Sequence, residues 1–164
     1  MHPQLLLTIA IPMPELMQPI ANSAIKPRGG LWTSTYQPDT DTSAWVDFCR
    51  TAYGAESVLR NPDDLYWSVL TPNPVARIYT IDHDDDLRTV IARYPLPLYL
   101  GETPPQRIDF ARFSQDYDAL HLTERGEHAT RSSEPNLWGW DCESTLWMRW
   151  CFEAVRLVHY PKHA

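Results

Sequence analysis

At 164 residues the chain has the length of one domain, and its 43% hydrophobic and 12% aromatic content, seven tryptophans included, can supply a core without disulfide or metal staples. A net charge of −7, from 21 acids against 14 bases, argues against non-specific attraction to nucleic-acid phosphates or to an anionic membrane. Cys49, Cys142 and Cys151 form an odd set with no CxxC pair, which signals neither a disulfide framework nor a zinc site and suits buried thiols in a reducing, cytoplasmic compartment.

Fifteen prolines cut the chain into short elements, and there is no internal repeat, heptad or low-complexity tract. QLLLTIAIP, residues 4–12, is an apolar run ended by proline and predicts a buried strand; it lacks the basic lead and cleavage site of a leader and the length of a membrane span. PELMQPIANSAI, 14–25, places a proline at a first turn with Glu15 beside it and Leu16, Ile20 and Ile25 at helical separations, predicting a short helix kinked or restarted at Pro19. Lys26 to Gly30 reads as a turn and LWTSTY as the next strand. Asp41 or Thr42 can cap a helix over SAWVDFCRTAYG that ends at Gly54.

Farther along, VARIYTID (75–82) predicts a strand, and DHDDDLRTVIARY (82–94) a helix with acids in its first turn and Leu87, Val90 and Ile91 as its apolar stripe. That run of acids also invites a metal-site reading, but it lacks the glycine and terminal glutamate of a calcium loop, and helix capping accounts for it. Pro95 to Pro105 reads as an extended surface passage, RIDFARFSQDY as a short helix or turn, DALHLTE (118–124) as an alternating strand and RGEHATRSSEPN (125–136) as a polar loop. ESTLWMRWCFEAVRLV fits two periods: a helix with Arg149, Glu153 and Arg156 outward, or a strand with Leu146, Met148, Trp150 and Phe152 on one face. Trp138, Trp140, Trp147 and Trp150 are better read as core than as a base-stacking platform in so acidic a chain. The order of elements describes a single α+β domain over 1–164, with a split or mixed β-sheet and short helices. Neither GxGxxG nor a GK[ST] loop occurs, which disfavours the standard nucleotide folds.

RGGLWTSTY, 28–36, has two readings: the turn and first pairs of a buried strand, or a pocket wall in which Trp32 supplies a ring and Thr33, Ser34, Thr35 and Tyr36 supply polar groups. The layout resembles the ADP-ribosyltransferase fold shared by diphtheria-type toxins, poly-ADP-ribose polymerases and RNA 2′-phosphotransferases. GGLWTS followed by TSAWVDFC is similar to the polymerase-type glycine, aromatic and small-residue pattern, VARIYTIDHDDDL and YDALHLTE resemble the middle strands, and WDCESTLW resembles the glutamate-bearing strand. The resemblance implies an ADP-ribosyltransferase-like fold, NAD as substrate and no metal. It implies Trp32 as the nicotinamide-stacking aromatic, Ser34 or Ser43 as the pocket serine and Glu143 as the catalytic glutamate that holds the ribose. The family's His or Arg in the opening strand is missing here; LLLTIAI offers only Thr8, and His2 lies too early.

The chemistry of those residues agrees with that assignment. Breaking the nicotinamide glycosidic bond builds positive charge on the ribose, which a fixed carboxylate such as Glu143 stabilises. Trp32 attracts a cationic ring by about 0.5 to 2 kcal/mol, and Thr33, Ser34 and Tyr36 can hold the carboxamide or ribose. His121 lies on the polar side of its strand and either faces the same cleft or is an ordinary half-buried histidine. These readings lead to an ADP-ribosyltransferase acting on a macromolecular acceptor. The competing reading is a non-catalytic binding or inhibitory protein that keeps the fold and offers an acidic surface to a basic partner.

Overall fold

A computed structural model describes residues 1–23, 26–51, 65–96, 107–137 and 139–158. Among them are eight strands and four short helices, a mixed α/β arrangement built on a sheet. The strands are β1 (Gln4–Thr8), β2 (Gln18–Ala21), β3 (Arg28–Thr35), β4 (Tyr66–Pro72), β5 (Ile78–Ile81), β6 (Ala119–Leu122), β7 (Ser144–Trp147) and β8 (Phe152–Val158). The helices are α1 (Ala44–Arg50), α2 (Asp84–Arg93), α3 (Phe110–Asp116) and α4 (Glu124–Thr130). The sheet runs β5-β6-β7-β3-β1-β4-β8, with β2 paired to β3. It is mixed because β5 and β6 are parallel while every other pair is antiparallel.

Strand alternation sorts the core. One face carries two clusters: Ile81, Leu120, Leu122 and Leu146 under α2 and α3, and Leu5, Trp67 and Val69 under α1 with Val46. The opposite face carries Leu6, Leu70, Ala119, Trp147 and Phe152. The aromatic residues of α3 tighten the first cluster, with Phe113 stacked on Tyr117 at 4.8 Å and edge-on to Tyr94 at 5.3 Å.

Several expectations change in three dimensions. The helix expected over 14–25 is a single 3-10 turn, Pro14–Leu16, followed by β2. Leu16 has no core to bury in and is 54% exposed, whereas Gln18 and Ala21 gain a ladder on β3, and Pro19 sits at the register shift between them, where its missing N–H is tolerated. RGG is no turn but the start of β3. Gly29 and Gly30 lie at φ 75° and 66°, and a Cβ would come within 2.1 Å of the Pro19 carbonyl oxygen and 2.6 Å of that of Trp147 respectively, so glycine is what lets β2 and β7 close on β3. The helix expected over SAWVDFCRTAYG is capped by Ser43 rather than Asp41 or Thr42, and ends at Arg50; Gly54 lies outside the described residues.

β4 has no counterpart among the sequence expectations. RGEHAT, expected as loop, is α4: the Thr123 hydroxyl accepts from the Gly126 N–H at 2.9 Å, and Gly126 lets the helix rest on β5, since a Cβ there would lie 2.2 Å from the Ile81 carbonyl oxygen. The ambiguous final segment is two strands, and the break at Met148–Cys151 sends Leu146 and Met148 to one cluster and Phe152 with Trp150 to another. The acids of DHDDD cap α2, Asp86 accepting from the Asp82 and His83 N–H groups at 2.9 Å each and Asp84 pairing with Arg88 at 3.1 Å. α2, α3, β5 and β6 fall inside their expected ranges, while residues 97–105 of the proline-rich passage and Trp138 lie outside the described residues. No helix among the described residues is long and apolar enough to cross a membrane.

Candidate functional site

The site forms where β3 outruns β7. The two strands pair from Leu31↔Trp147 to Thr33↔Thr145, and the ladder stops there, leaving the Thr35 N–H without a strand partner on that side. Glu143, the residue before β7, supplies the acceptor instead: its carboxylate takes the Thr35 N–H at 3.0 Å, the Thr35 hydroxyl at 2.8 Å and the Ser34 hydroxyl at 2.6 Å. Glu143 is 8% exposed, so these donors replace water that burial removes. The Ser34 hydroxyl also accepts from the Trp45 N–H at 3.2 Å, which ties the start of α1 to the carboxylate.

His121 on β6 stands opposite Thr145 in the register and lies 2.9 Å from the Thr145 hydroxyl and 3.5 Å from Glu143 Oε1. Burial pushes its pKa below the ordinary histidine value; the Glu143 charge opposes this, and the N-terminus and His2 add to it. The ring is therefore neutral at neutral pH.

Behind this pair runs a buried polar chain. Trp147 Nε1 donates to the Thr33 hydroxyl at 2.9 Å, Thr33 donates to Gln4 Oε1 at 2.8 Å, and Gln4 Nε2 donates to the Thr35 hydroxyl at 3.4 Å. Gln4 and Thr145 are fully buried and Thr33 is 4% exposed, so the chain fixes β1, β3 and β7 against one another with its polar atoms satisfied.

On the helix-bearing face, between the two core clusters, lies a cavity of about 200 Å³. Trp32 and Trp45 wall it, Leu5 and Leu7 supply apolar floor, and Lys26, Asp141 and Cys142 supply polar atoms. Trp32 is half-buried, edge-on to Trp140 at 4.6 Å, with the Lys26 ammonium 4.2 Å from its ring centroid. Burial pushes the Cys142 thiol up to about 12, the Glu143 and Asp141 charges adding to the effect, so it is protonated and no nucleophile at neutral pH. The chain neighbours of Glu143, Cys142 and Ser144, line the cavity, while its carboxylate is taken up by Ser34 and Thr35 of β3.

In comparisons with protein-family models, curated proteins and solved structures, nothing matched the chain. The site therefore rests on its own geometry. Of the residues singled out from sequence, Ser34 is hydrogen-bonded to Glu143 and His121 lies 3.5 Å from it, while Trp32, on the face opposite His121, walls the cavity. Thr33 lines the cavity, but its hydroxyl is held by Gln4 and Trp147. Ser43 is the cap of α1, accepting from the Val46 N–H at 3.4 Å. Tyr36 donates to Asp41 under the Arg156 guanidinium, and Thr8 donates to the Ala10 carbonyl at 2.5 Å at the far end of β1, opposite Tyr66. Sequence reasoning missed Gln4, Lys26, Trp45 and Asp141 as parts of the site, and it left Thr35 as a polar group of the stretch without a partner. Only Trp45 carried a signal, lying in the same SAWVDFC run that pointed to Ser43.

Among the described residues no three His, Cys, Asp or Glu side chains gather as a metal site. The donors offered are instead an aromatic wall, a carboxylate and a hydroxyl, a set suited to a polar, partly aromatic organic ligand.

Proposed function

We propose that this protein is an ADP-ribosyltransferase that uses NAD as substrate and modifies a macromolecular acceptor. The observation that carries the reading is the 2.6 Å hydrogen bond from Ser34 to Glu143, whose chain neighbours Cys142 and Ser144 line the cavity walled by Trp32. In the reaction the bond between the ribose C1′ and the nicotinamide nitrogen breaks, and its electron pair leaves with the nicotinamide, which becomes neutral. The acceptor oxygen or nitrogen bonds to C1′ and gives up its proton to solvent water. Positive charge grows on the sugar between these events, and Glu143, held by Ser34 and Thr35, stabilises it while accepting from a ribose hydroxyl. Trp32 presents a face to the nicotinamide ring, and neutral His121 leaves the charge of Glu143 uncompensated.

The test is calorimetric titration with NAD, followed by incubation of purified protein and cell lysate with biotin-labelled NAD. Labelled acceptor is expected, and Glu143→Gln lowers the rate by about 100- to 1,000-fold while NAD still binds. Absence of both NAD binding and labelling would sink the proposal.

A second reading has its own observation. β1 offers no cationic side chain, its Thr8 hydroxyl being turned to the Ala10 carbonyl, and the Glu143 carboxylate is already met by three donors. A non-catalytic binding protein would capture one stable partner from lysate, and Glu143→Gln would leave that capture unchanged.

A further inference from the structure

We propose that Lys26 is a built-in competitor for the Trp32 face: its ammonium occupies that face in the free protein and gives way to the cationic ring of the ligand. Lys26 thereby sets how strongly the cavity distinguishes charged from neutral aromatic rings. This deepens the NAD reading and rests on it for the identity of the ring.

The geometry leaves little room for another outcome. Trp32 packs its body against the cluster of α2 and α3 and meets the Trp140 ring edge-on at 4.6 Å, so the surface it turns to the cavity is the one with the Lys26 ammonium 4.2 Å from its centroid. The attraction of an indole face for an ammonium and for a pyridinium has the same origin in the ring quadrupole, and one face holds one of them at a time. Two like charges at such separation in a half-buried site repel strongly, so a cationic ring can enter only as the ammonium leaves.

The exit is provided. Lysine carries its charge on a flexible four-carbon stem, and Asp141, on the wall of the same cavity, offers a carboxylate toward which the ammonium can turn. Burial lowers the Lys26 pKa, against the opposing charge of Asp141, so the resting position is one in which the charge is partly stripped of water. Moving outward restores that water. Even displaced, the positive charge stays near the cavity, and a cationic ring feels it while a neutral ring of the same shape does not.

Calorimetric titration of the full chain with 1-methylnicotinamide, which is cationic, and with nicotinamide, its neutral counterpart, reads the effect directly. Lys26→Met keeps the stem and removes the charge. It is expected to raise the ratio of cation to neutral-ring affinity by roughly three- to thirtyfold over wild type. Lys26→Arg, which keeps the charge, is expected to leave the ratio at the wild-type value. An unchanged ratio in Lys26→Met, with both rings binding and NAD labelling intact, overturns the role of Lys26 and leaves the NAD reading standing. Failure of both rings and of NAD to bind wild type overturns both together.

Discussion

Replacing Glu143 with Gln keeps the side-chain shape and removes the charge and one acceptor oxygen. The carboxylate accepts from the Ser34 hydroxyl at 2.6 Å, the Thr35 N–H at 3.0 Å and the Thr35 hydroxyl at 2.8 Å, each a charge-assisted bond. An amide oxygen left toward Ser34 and the Thr35 N–H keeps two of these as neutral bonds, each weaker by about 1 kcal/mol. The amide NH2 then faces the Thr35 hydroxyl, which must turn to accept while it still meets Gln4 Nε2 at 3.4 Å. Against these losses stands the relief of no longer burying a charge, which offsets part of them. The balance is a destabilisation of about 1 to 3 kcal/mol, or a melting temperature lower by roughly 2 to 12 °C for a chain of this size. Thermal melts and urea titrations on both proteins measure it, and they also show that any loss of NAD-dependent labelling comes from a folded protein. A Glu143→Gln variant as stable as wild type, or more so, would refute the claim that the carboxylate fastens β3 where β7 ends.

Other outcomes follow from the same contacts. Thr33→Val leaves Gln4 Oε1 and Trp147 Nε1 without their buried partner and should cost about 2 to 4 kcal/mol in urea unfolding, far more than the loss of one exposed hydroxyl. The folded pKa of His121 lies below its ordinary value of 6.5, so the unfolded chain binds the proton more tightly; the associated stability is complete above 6.5 and falls as pH drops from there toward the folded value. Urea midpoints compared at pH 7.5 and pH 5 should therefore fall less for His121→Gln than for wild type, and equal slopes would contradict the burial of the ring beside Glu143, His2 and the N-terminus. Gly126→Ala improves helix propensity but forces a Cβ onto the Ile81 carbonyl at 2.2 Å, so a net loss of about 1 to 3 kcal/mol is expected, and a stabilised variant would show that α4 does not rest on β5 as described.

How much of this was legible depends on whether a residue's role is local. The acids and apolar stripe of α2, the alternation in β6 and the strand character of LWTST are properties of a few neighbouring residues, and those elements appear where the pattern put them. PELMQPIANSAI and RGEHATRSSEPN misled because their outcome depends on distant partners: β2 exists for its ladder to β3, and α4 for its seat against Ile81. The same division runs through the site. Trp32, Ser34 and Glu143 were singled out by type and by resemblance; Ser34 and Glu143 are hydrogen-bonded and Trp32 walls the nearby cavity, but Ser43 and Tyr36 share those types and are a helix cap and a partner of Asp41. Gln4 carried no signal because a glutamine in an apolar run means nothing until Thr33 and Trp147 close around it.

What the sequence by itself determined is the inventory: an acidic, tryptophan-rich α+β chain, strands and helices of proline-limited length, and a glycine pair ahead of a tryptophan and four hydroxyl-bearing residues. What only the tertiary structure decided is adjacency. Strand order brings β7 beside β3 across more than a hundred residues, the early end of their ladder makes Glu143 the acceptor for Thr35, and the gap between two core clusters leaves Trp32 facing a cavity with Lys26 over its ring. The physical reason is that backbone propensity acts over a few residues, whereas the pairing of strands and the satisfaction of buried polar groups are settled by which distant segments can bury their apolar faces together.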